Sequence, residues 1–182
     1  MESVKGQLLI AGPRLIDPNF WRTVVLVVDH NEDGAFGLVL NRPSETSVAE
    51  AVPELEALID PDEPLFIGGP VQPSTVITIG RFADIGDAAL KAFEDIGVLG
   101  TAGESIEEIA EHVVSARAFV GHSGWGPGQL EAELETGDWI LEPARPEDVF
   151  TDTPLQLWSA VLTRKGGSYA LVARMPMDPS LN

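Results

Sequence analysis

Two aliphatic runs joined by an Asp-Gly turn constrain the fold of this chain more than any other feature of its sequence. The runs are residues 23–29, which are rich in valine, and residues 35–41, and Asp33-Gly34 lies between them. Asp-Gly between two apolar runs is typical of a tight hairpin turn, because glycine adopts the positive φ that such turns need. We therefore predict an antiparallel β-hairpin at this point of the chain.

Short strands and helices are predicted along the rest of the sequence from periodicity, capping residues and turn residues. Further strands are predicted at residues 7–11 (as an edge strand), 65–67, 76–79, 96–99, 117–121, 139–141 and 169–173. Capping boxes, helical spacing and the Thr153-Pro154 start predict helices after Ser47 with a break at Pro53, and over residues 105–114, 129–135 and 153–166. Residues 84–103 are ambiguous, and residues 88–93 are compatible with a helix.

Length and composition limit the class of protein. A chain of 182 residues predicts a single domain, residues 1–182. The absence of cysteine excludes disulfides, thiolate metal sites and cysteine nucleophiles, and it suits a reducing compartment. No basic segment followed by an apolar one opens the chain, and the longest aliphatic run, residues 24–28, is too short to cross a membrane. We therefore expect a cytoplasmic protein that does not bind membranes.

The charge balance bears on the choice of partners. Eleven basic and 29 acidic side chains give a formal net charge of −18. Such a field repels phosphate backbones, and nucleic-acid binding would need a local basic patch that the sequence does not show. We therefore expect no nucleic-acid partner.

Four ordered blocks of sequence resemble the YqgE/AlgH family of bacterial proteins, and together they extend over nearly the whole chain. The blocks are residues 6–22, His30-Asn31 with GAFGLVLNRP at 34–43, FIGGPV at 66–71, and GWGPGQLE at 124–131 followed by Glu133 and Trp139. The terminal Leu181-Asn182 is similar to the end of that family's chains. The acidic stretch at residues 86–103 and Ser123 depart from the commoner family pattern.

The resemblance implies a fold more than a chemistry. The implied fold is α+β, a mixed and forked sheet that partly closes into a small barrel and is flanked by helices. We expect a binding or regulatory module for a small molecule or a protein, and we do not expect an enzyme. A hydrolase using a cleft near Ser123 and Arg42 is one alternative. A transcriptional regulator, the label the family carries, is a second alternative that the net charge disfavours.

Two strand ends and a glycine-rich corner define the candidate ligand site. The candidate binding residues are Asn41, Arg42, Gly68, Gly69, Trp125 and Gln129. Arg42 offers a bidentate donor, and Gly68-Gly69 offer amides without side chains, so a pocket that contained both would prefer a small anion. The alternative interpretation is that Arg42 pairs with one of the many carboxylates.

Other chemical motifs are weaker. Residues 121–124 resemble a nucleophile elbow around Ser123, but Trp125 stands where that motif needs a glycine, so we predict no catalytic residue. A metal would most plausibly use Asp29, His30, His122 and Glu131, but no pair of these residues has the i, i+4 spacing of ligands on one helix face. We therefore expect neither a metal nor a cofactor. If residues 29 and 36 pair, Asn41 lies opposite Val24, at the other end of the hairpin from His30, so His30 and Arg42 are not expected to share a site.

Overall fold

A computed structural model describes residues 2–100 and 104–176, which form ten strands and six α-helices. The strands are β1 (Gln7–Ala11), β2 (Val24–Asn31), β3 (Gly34–Val39), β4 (Pro43–Ser47), β5 (Pro64–Ile67), β6 (Val71–Phe82), β7 (Leu90–Phe93), β8 (Ile96–Val98), β9 (Val113–Trp125) and β10 (Trp139–Pro143). The helices are α1 (Val48–Ala51), α2 (Ile106–Ala110), α3 (Gln129–Glu135), α4 (Pro146–Val149), α5 (Leu157–Lys165) and α6 (Ser168–Val172). Short 3-10 helices lie at Pro53–Ala57, Ile85–Asp87 and Pro154–Gln156.

The strands join in one mixed sheet, ordered β10-β1-β2-β3-β9-β6-β8-β7. The long strand β9 makes it fork, because β3 pairs with the end of β9 at residues 123–125 while β5 pairs in parallel with residues 119–120. β4 then pairs with β5. No pairing between β10 and β7 closes this order within the described ranges, so the expected partial closure into a barrel is not confirmed.

The first strands are buried on both faces. Leu8 and Leu26 point into a cluster that includes α5, whereas Leu9 and Val25 point into a cluster with Trp125 of β9. All four aliphatic side chains are fully buried. Burial on both faces explains why these strands are continuously aliphatic rather than alternating. β1 is not the edge strand predicted from the sequence, because it pairs with both β2 and β10.

The predicted hairpin is confirmed, but its register changes along its length. Asp29 lies opposite Phe36, as the sequence suggested. A bulge between Val27 and Asp29 then shifts the pairing by one residue, so Leu40 lies opposite Val24 instead of the predicted Asn41. The carbonyl of Val24 accepts from the amide of Leu40, and its amide donates to the side chain of Asn41. A bulge inserts one extra residue, which no local turn signal reveals.

Three predicted helices have different bounds or are absent. The helix after Ser105 has the predicted capping box but ends at Ala110, because the chain from Val113 enters β9 and pairs with β6. Residues 90–93, within the segment compatible with a helix, form β7 instead. Thr153 makes no side-chain cap, and a 3-10 turn precedes α5. Tertiary pairing outweighs local propensity in these segments.

The segment predicted as a last strand, residues 169–173, is helical as α6 and packs beside α5. Leu181-Asn182 and residues 101–103 of the acidic stretch lie outside the described residues. Across residues 2–100 and 104–176, the structure contains no helix with the length and apolar character needed to cross a membrane.

Candidate functional site

Asn41 and Arg42 hold the turn at residues 17–22 against the end of the hairpin. The buried amide of Asn41 accepts from the Val24 amide at 3.0 Å and donates to the Arg22 carbonyl at 2.9 Å. The Arg42 guanidinium donates to the carbonyls of Pro18, Asn19 and Trp21. Burial lowers the pKa of Arg42, and the nearby carboxylate of Asp17 partly opposes this shift. Its donors are therefore occupied by backbone carbonyls, not by the carboxylate partner that the sequence suggested as the alternative.

Gly68 and Gly69 lie where two backbones meet. The Gly68 amide donates to the Val120 carbonyl at 2.9 Å, and its carbonyl accepts from the amide of Val39 at 2.9 Å. Gly69 has φ +154°, and a Cβ there would lie 2.2 Å from the backbone of His122. These positions need glycine because another strand passes directly over them. The Ile67 amide donates to the Arg42 carbonyl at 2.8 Å, so the two predicted strand ends are adjacent.

Trp125 and Gln129 belong to a cluster around Glu133. The indole Nε1 atoms of Trp125 and Trp139 donate to Glu133 at 3.3 and 3.1 Å. Gln129 accepts from the Gly126 amide and donates to the second oxygen of Glu133. These contacts fix the start of α3 against the sheet. Ligand binding by the six predicted residues stays a prediction.

Ser123 and His122 do not form a nucleophile and base pair. Ser123 is fully buried, and its hydroxyl donates to the Gly68 carbonyl at 3.1 Å. The His122 ring stacks edge-on against Phe36, and its Nδ1 is buried without a partner in the described residues. Burial lowers the pKa of His122, so the neutral ring is favoured.

The His30 ring accepts a hydrogen bond at one nitrogen and donates one at the other. Its Nδ1 accepts from the Val4 amide at 3.0 Å, which leaves the proton on Nε2 to donate to Glu131 at 2.7 Å. The pKa of Glu131 is lowered, first by a backbone hydrogen bond and then by His30. Asp29 pairs instead with Lys5 at 3.5 Å. No group of three potential metal-ligating side chains occurs among residues 2–100 and 104–176.

A second candidate site lies beside the predicted cleft. It is a cavity of about 450 Å³, which we name the Arg117 pocket. Its walls are Pro43, Glu63, Pro64, Phe66, Arg117 and residues 151–156. Pro43 directly follows Arg42, so the pocket adjoins the predicted candidate residues. Its volume lies within the usual range for small-molecule sites.

A buried ion pair forms one wall of the Arg117 pocket. The Arg117 side chain is 5% exposed, and its Nη2 donates to Oε1 of Glu63 at 2.7 Å. Its Nη1 donates to the carbonyls of Val149 and Thr151. The guanidinium lies over the ring of Phe66, 4.6 Å from the centroid. Its Nε is buried and has no hydrogen-bond partner in the described residues.

The rim of the pocket is apolar and is held by prolines. Leu155, in the 3-10 turn before α5, is 82% exposed although it is a large aliphatic side chain. Pro43, Pro64 and Pro154 restrict the backbone of the three segments that meet here. The pocket therefore combines an apolar rim with a charged and partly unsatisfied wall.

Sequence reasoning missed this pocket, although one signal was available. Arg117 begins a buried aliphatic stretch in a chain that has only 11 basic residues. A charge within a buried strand needs a partner, and that requirement singles out Arg117. The sequence could not identify Glu63 as the partner, because the two are 54 residues apart.

The comparisons with known proteins agree in fold and length. A family model described as AlgH-like matches residues 8–170. A UPF0301 protein of Chlorobaculum tepidum is 41% identical over 180 residues, covering 97% of this chain and 95% of the relative. A UPF0301 protein of Streptomyces coelicolor is 40% identical over 187 residues, covering 100% of this chain and 97% of the relative.

Two solved structures have the same overall fold. The crystal structure of a Corynebacterium diphtheriae protein is similar to this chain with a TM-score of 0.85 and 32% identity, covering 95% of this chain and 93% of that one. The solution structure of the AlgH protein from Pseudomonas aeruginosa has a TM-score of 0.71 and 31% identity, covering 98% of both chains.

Proposed function

We propose, from the premise that this chain belongs to the AlgH-like family, that it is a binding module whose ligand occupies the Arg117 pocket. One observation carries the proposal: a fully buried guanidinium donor, Nε of Arg117, has no partner in the described residues and belongs to a side chain that lines a cavity. An unsatisfied buried donor costs about 1–3 kcal/mol. Because Nε is closed to solvent, a ligand acceptor would reach it only after a small shift of the Arg117 side chain, and the new hydrogen bond would remove that cost.

The polar groups of the pocket suggest the chemistry of the ligand. Glu63 uses only Oε1 in its bond to Arg117, so its other oxygen retains the capacity to accept. The wall therefore combines an unsatisfied donor with a free acceptor, and an amide supplies both complementary groups. Phe66, Leu155 and the prolines provide an apolar frame for the rest of the molecule. The ligand class is thus a neutral amide that carries an aliphatic or aromatic body.

A titration with N-acetyl-leucinamide, followed by amide chemical shifts, tests this function. Shifts should concentrate at Phe66, Arg117 and residues 151–156. Leu155→Ala should weaken binding about tenfold, because it removes apolar contact area at the rim. Leu171→Ala is the matched control, since Leu171 is also exposed, at 68%, but lies on α6 outside the pocket.

Two results would contradict the proposal. One is the absence of shifts around Arg117, and the other is equal weakening by both leucine variants.

Titration with sodium acetate in the same experiment examines the earlier prediction of a small anion at Arg42 and Gly68-Gly69. Shifts confined to those residues would favour the predicted cleft over the Arg117 pocket.

A further inference from the structure

Arg22 is a cation whose neighbours are indole rings and backbone carbonyls. Its guanidinium lies 4.4 Å from the ring centroid of Trp158 and 5.3 Å from that of Trp21. Its Nη2 donates to the carbonyls of Met175 and Pro176 at 2.7 and 2.8 Å. In the part of the chain that the structure describes, Arg22 forms no salt bridge, and its Nε and Nη1 have no hydrogen-bond partner. These two nitrogens therefore retain hydrogens that a further acceptor could bind.

The backbone of Arg22 has a conformation that few residues other than glycine adopt. Its φ is +53°, in the left-handed region. The side-chain amide of Asn41 donates to the Arg22 carbonyl at 2.9 Å, and Arg42 donates to the carbonyl of Trp21 at 3.2 Å. Such a conformation persists only where the surrounding structure holds it. These hydrogen bonds therefore fix the position of Arg22 before any ligand arrives, which lowers the entropic cost of binding.

The Arg22 side chain lines a cavity of about 260 Å³. The other walls are mainly apolar and include Ile16, Trp21, Trp158 and Met175. The cavity is separate from the Arg117 pocket and shares no residue with it. No aspartate or glutamate is among the described residues that line it. Arg22 is thus the one charged side chain among these lining residues, in a chain whose net charge is −18.

The surroundings of Arg22 favour a ligand that has a negative charge. Burial lowers the pKa of Arg22, because removal from water disfavours the charged guanidinium. The carboxylate of Asp17, in the same turn, is exposed, and its charge raises the pKa of Arg42. A ligand carboxylate would supply the opposite charge and accept a charge-assisted hydrogen bond from Arg22. Ile16, which is 77% exposed, and Met175, which is 47% exposed, offer apolar contacts to the rest of such a molecule.

We propose that this cavity is a second ligand site, and that it binds a small carboxylate with an apolar body. The carboxylate accepts from Arg22, and the apolar body contacts Ile16, Trp21 and Met175. The cavity is smaller than the usual site for a drug-sized molecule, so the ligand is limited to a single ring or a short aliphatic chain. The site differs in ligand class from the Arg117 pocket, for which a neutral amide is proposed.

The test is a titration of the full-length protein with sodium phenylacetate at constant ionic strength, followed by the indole N–H signals. The signals of Trp21 and Trp158 should shift, whereas those of Trp125 and Trp139, which lie outside the cavity, should not. Phenylacetamide has the same ring but no charge. Measured at the Trp21 and Trp158 signals, it should bind at least about tenfold more weakly than phenylacetate, because it forms no charge-assisted hydrogen bond with two charged partners.

Two variants test the contacts to the ligand. Ile16→Ala should weaken phenylacetate binding about three- to tenfold, because it removes apolar contact area. Val114→Ala is the matched control, since Val114 is also β-branched and exposed, at 71%, but lies outside the cavity. Arg22→Gln should reduce the preference for phenylacetate over phenylacetamide to about twofold or less, a ratio that a purely structural role of Arg22 would not change.

Three results would overturn the proposal. The first is no shift of the Trp21 and Trp158 signals at millimolar phenylacetate, and the second is equal affinity for phenylacetate and phenylacetamide at these signals. The third is equal weakening by Ile16→Ala and Val114→Ala, a comparison that decides the question even if Arg22→Gln does not fold. The amide signals around Arg117 are followed in the same spectra, so failure of this inference is distinguishable from failure of the proposed function.

Discussion

The buried ion pair between Glu63 and Arg117 should stabilise the folded state far more than a surface ion pair does. Glu63→Ala leaves a guanidinium that is only 5% exposed without its carboxylate partner. Removing one member of a buried pair costs about 3–5 kcal/mol. Two features place the cost near the lower end of that range: Glu63 is 28% exposed to water, and Arg117 keeps its bonds to two carbonyls. We therefore expect a loss of about 3 kcal/mol.

Urea unfolding at pH 7 measures this loss. With a slope of about 2 kcal/mol per molar urea, the midpoint should fall by about 1.5 M. Asp95→Ala is the control, because its pair with Arg81 has a similar distance, 2.8 Å, but both side chains are more than a third exposed. That variant should lose about 0–1 kcal/mol.

A double variant separates the pair from the rest of the wall. Glu63→Leu combined with Arg117→Met replaces both charges with apolar groups, and it should recover most of the stability lost in Glu63→Ala. Losses within about 0.5 kcal/mol of each other for Glu63→Ala and Asp95→Ala would refute the reasoning. Such a result would mean that water reaches the Arg117 side chain as it reaches an exposed ion pair.

Three further predictions concern other parts of the fold. Gly69→Ala should lower the free energy of unfolding by at least about 3 kcal/mol, because the new Cβ would lie 2.2 Å from the His122 backbone. Gly128→Ala should lower it by about 1 kcal/mol, because Gly128 has a positive φ but open space around it. Thermal unfolding measures both losses. Burial lowers the pKa of His122, so as the pH falls the unfolded chain binds a proton at this residue before the folded chain does. The free energy of unfolding should therefore decrease as the pH falls below about 6.5. His122→Gln should flatten the plot of unfolding free energy against pH between about pH 7 and 5. A fluorophosphonate probe should leave the folded protein unlabelled, because the Ser123 hydroxyl is buried and bonded to Gly68; labelling that disappears in Ser123→Ala would be evidence against this.

Local signals predicted the elements whose structure is decided by neighbouring residues. The hairpin predicted from Asp33-Gly34 forms, with its turn at residues 32–33 and with Gly34 as the first residue of β3. The helix at residues 129–135 has the predicted bounds. Pro53 ends α1 and begins a 3-10 turn, as its missing amide requires. In these segments the backbone preferences and the tertiary contacts agree.

The candidate site depends on contacts between distant parts of the chain. Pairing of β5 with β9 brings Glu63 near Arg117, and a hydrogen bond from Arg117 to the Thr151 carbonyl holds the segment 151–156 beside them. Arg42 was predicted as a bidentate donor to a ligand, but its guanidinium donates to backbone carbonyls of the turn at residues 17–22.

The sequence by itself determined where the chain turns, which segments are apolar enough to form strands, and that the chain has a formal net charge of −18. Only the tertiary structure decided the order of strands in the sheet, the bulge in the hairpin, the end of the helix after Ser105 and the pairing of Arg117 with Glu63. The physical reason is that turn and capping preferences act within a few residues, whereas strand order and charge burial are set by contacts among segments that are far apart in sequence.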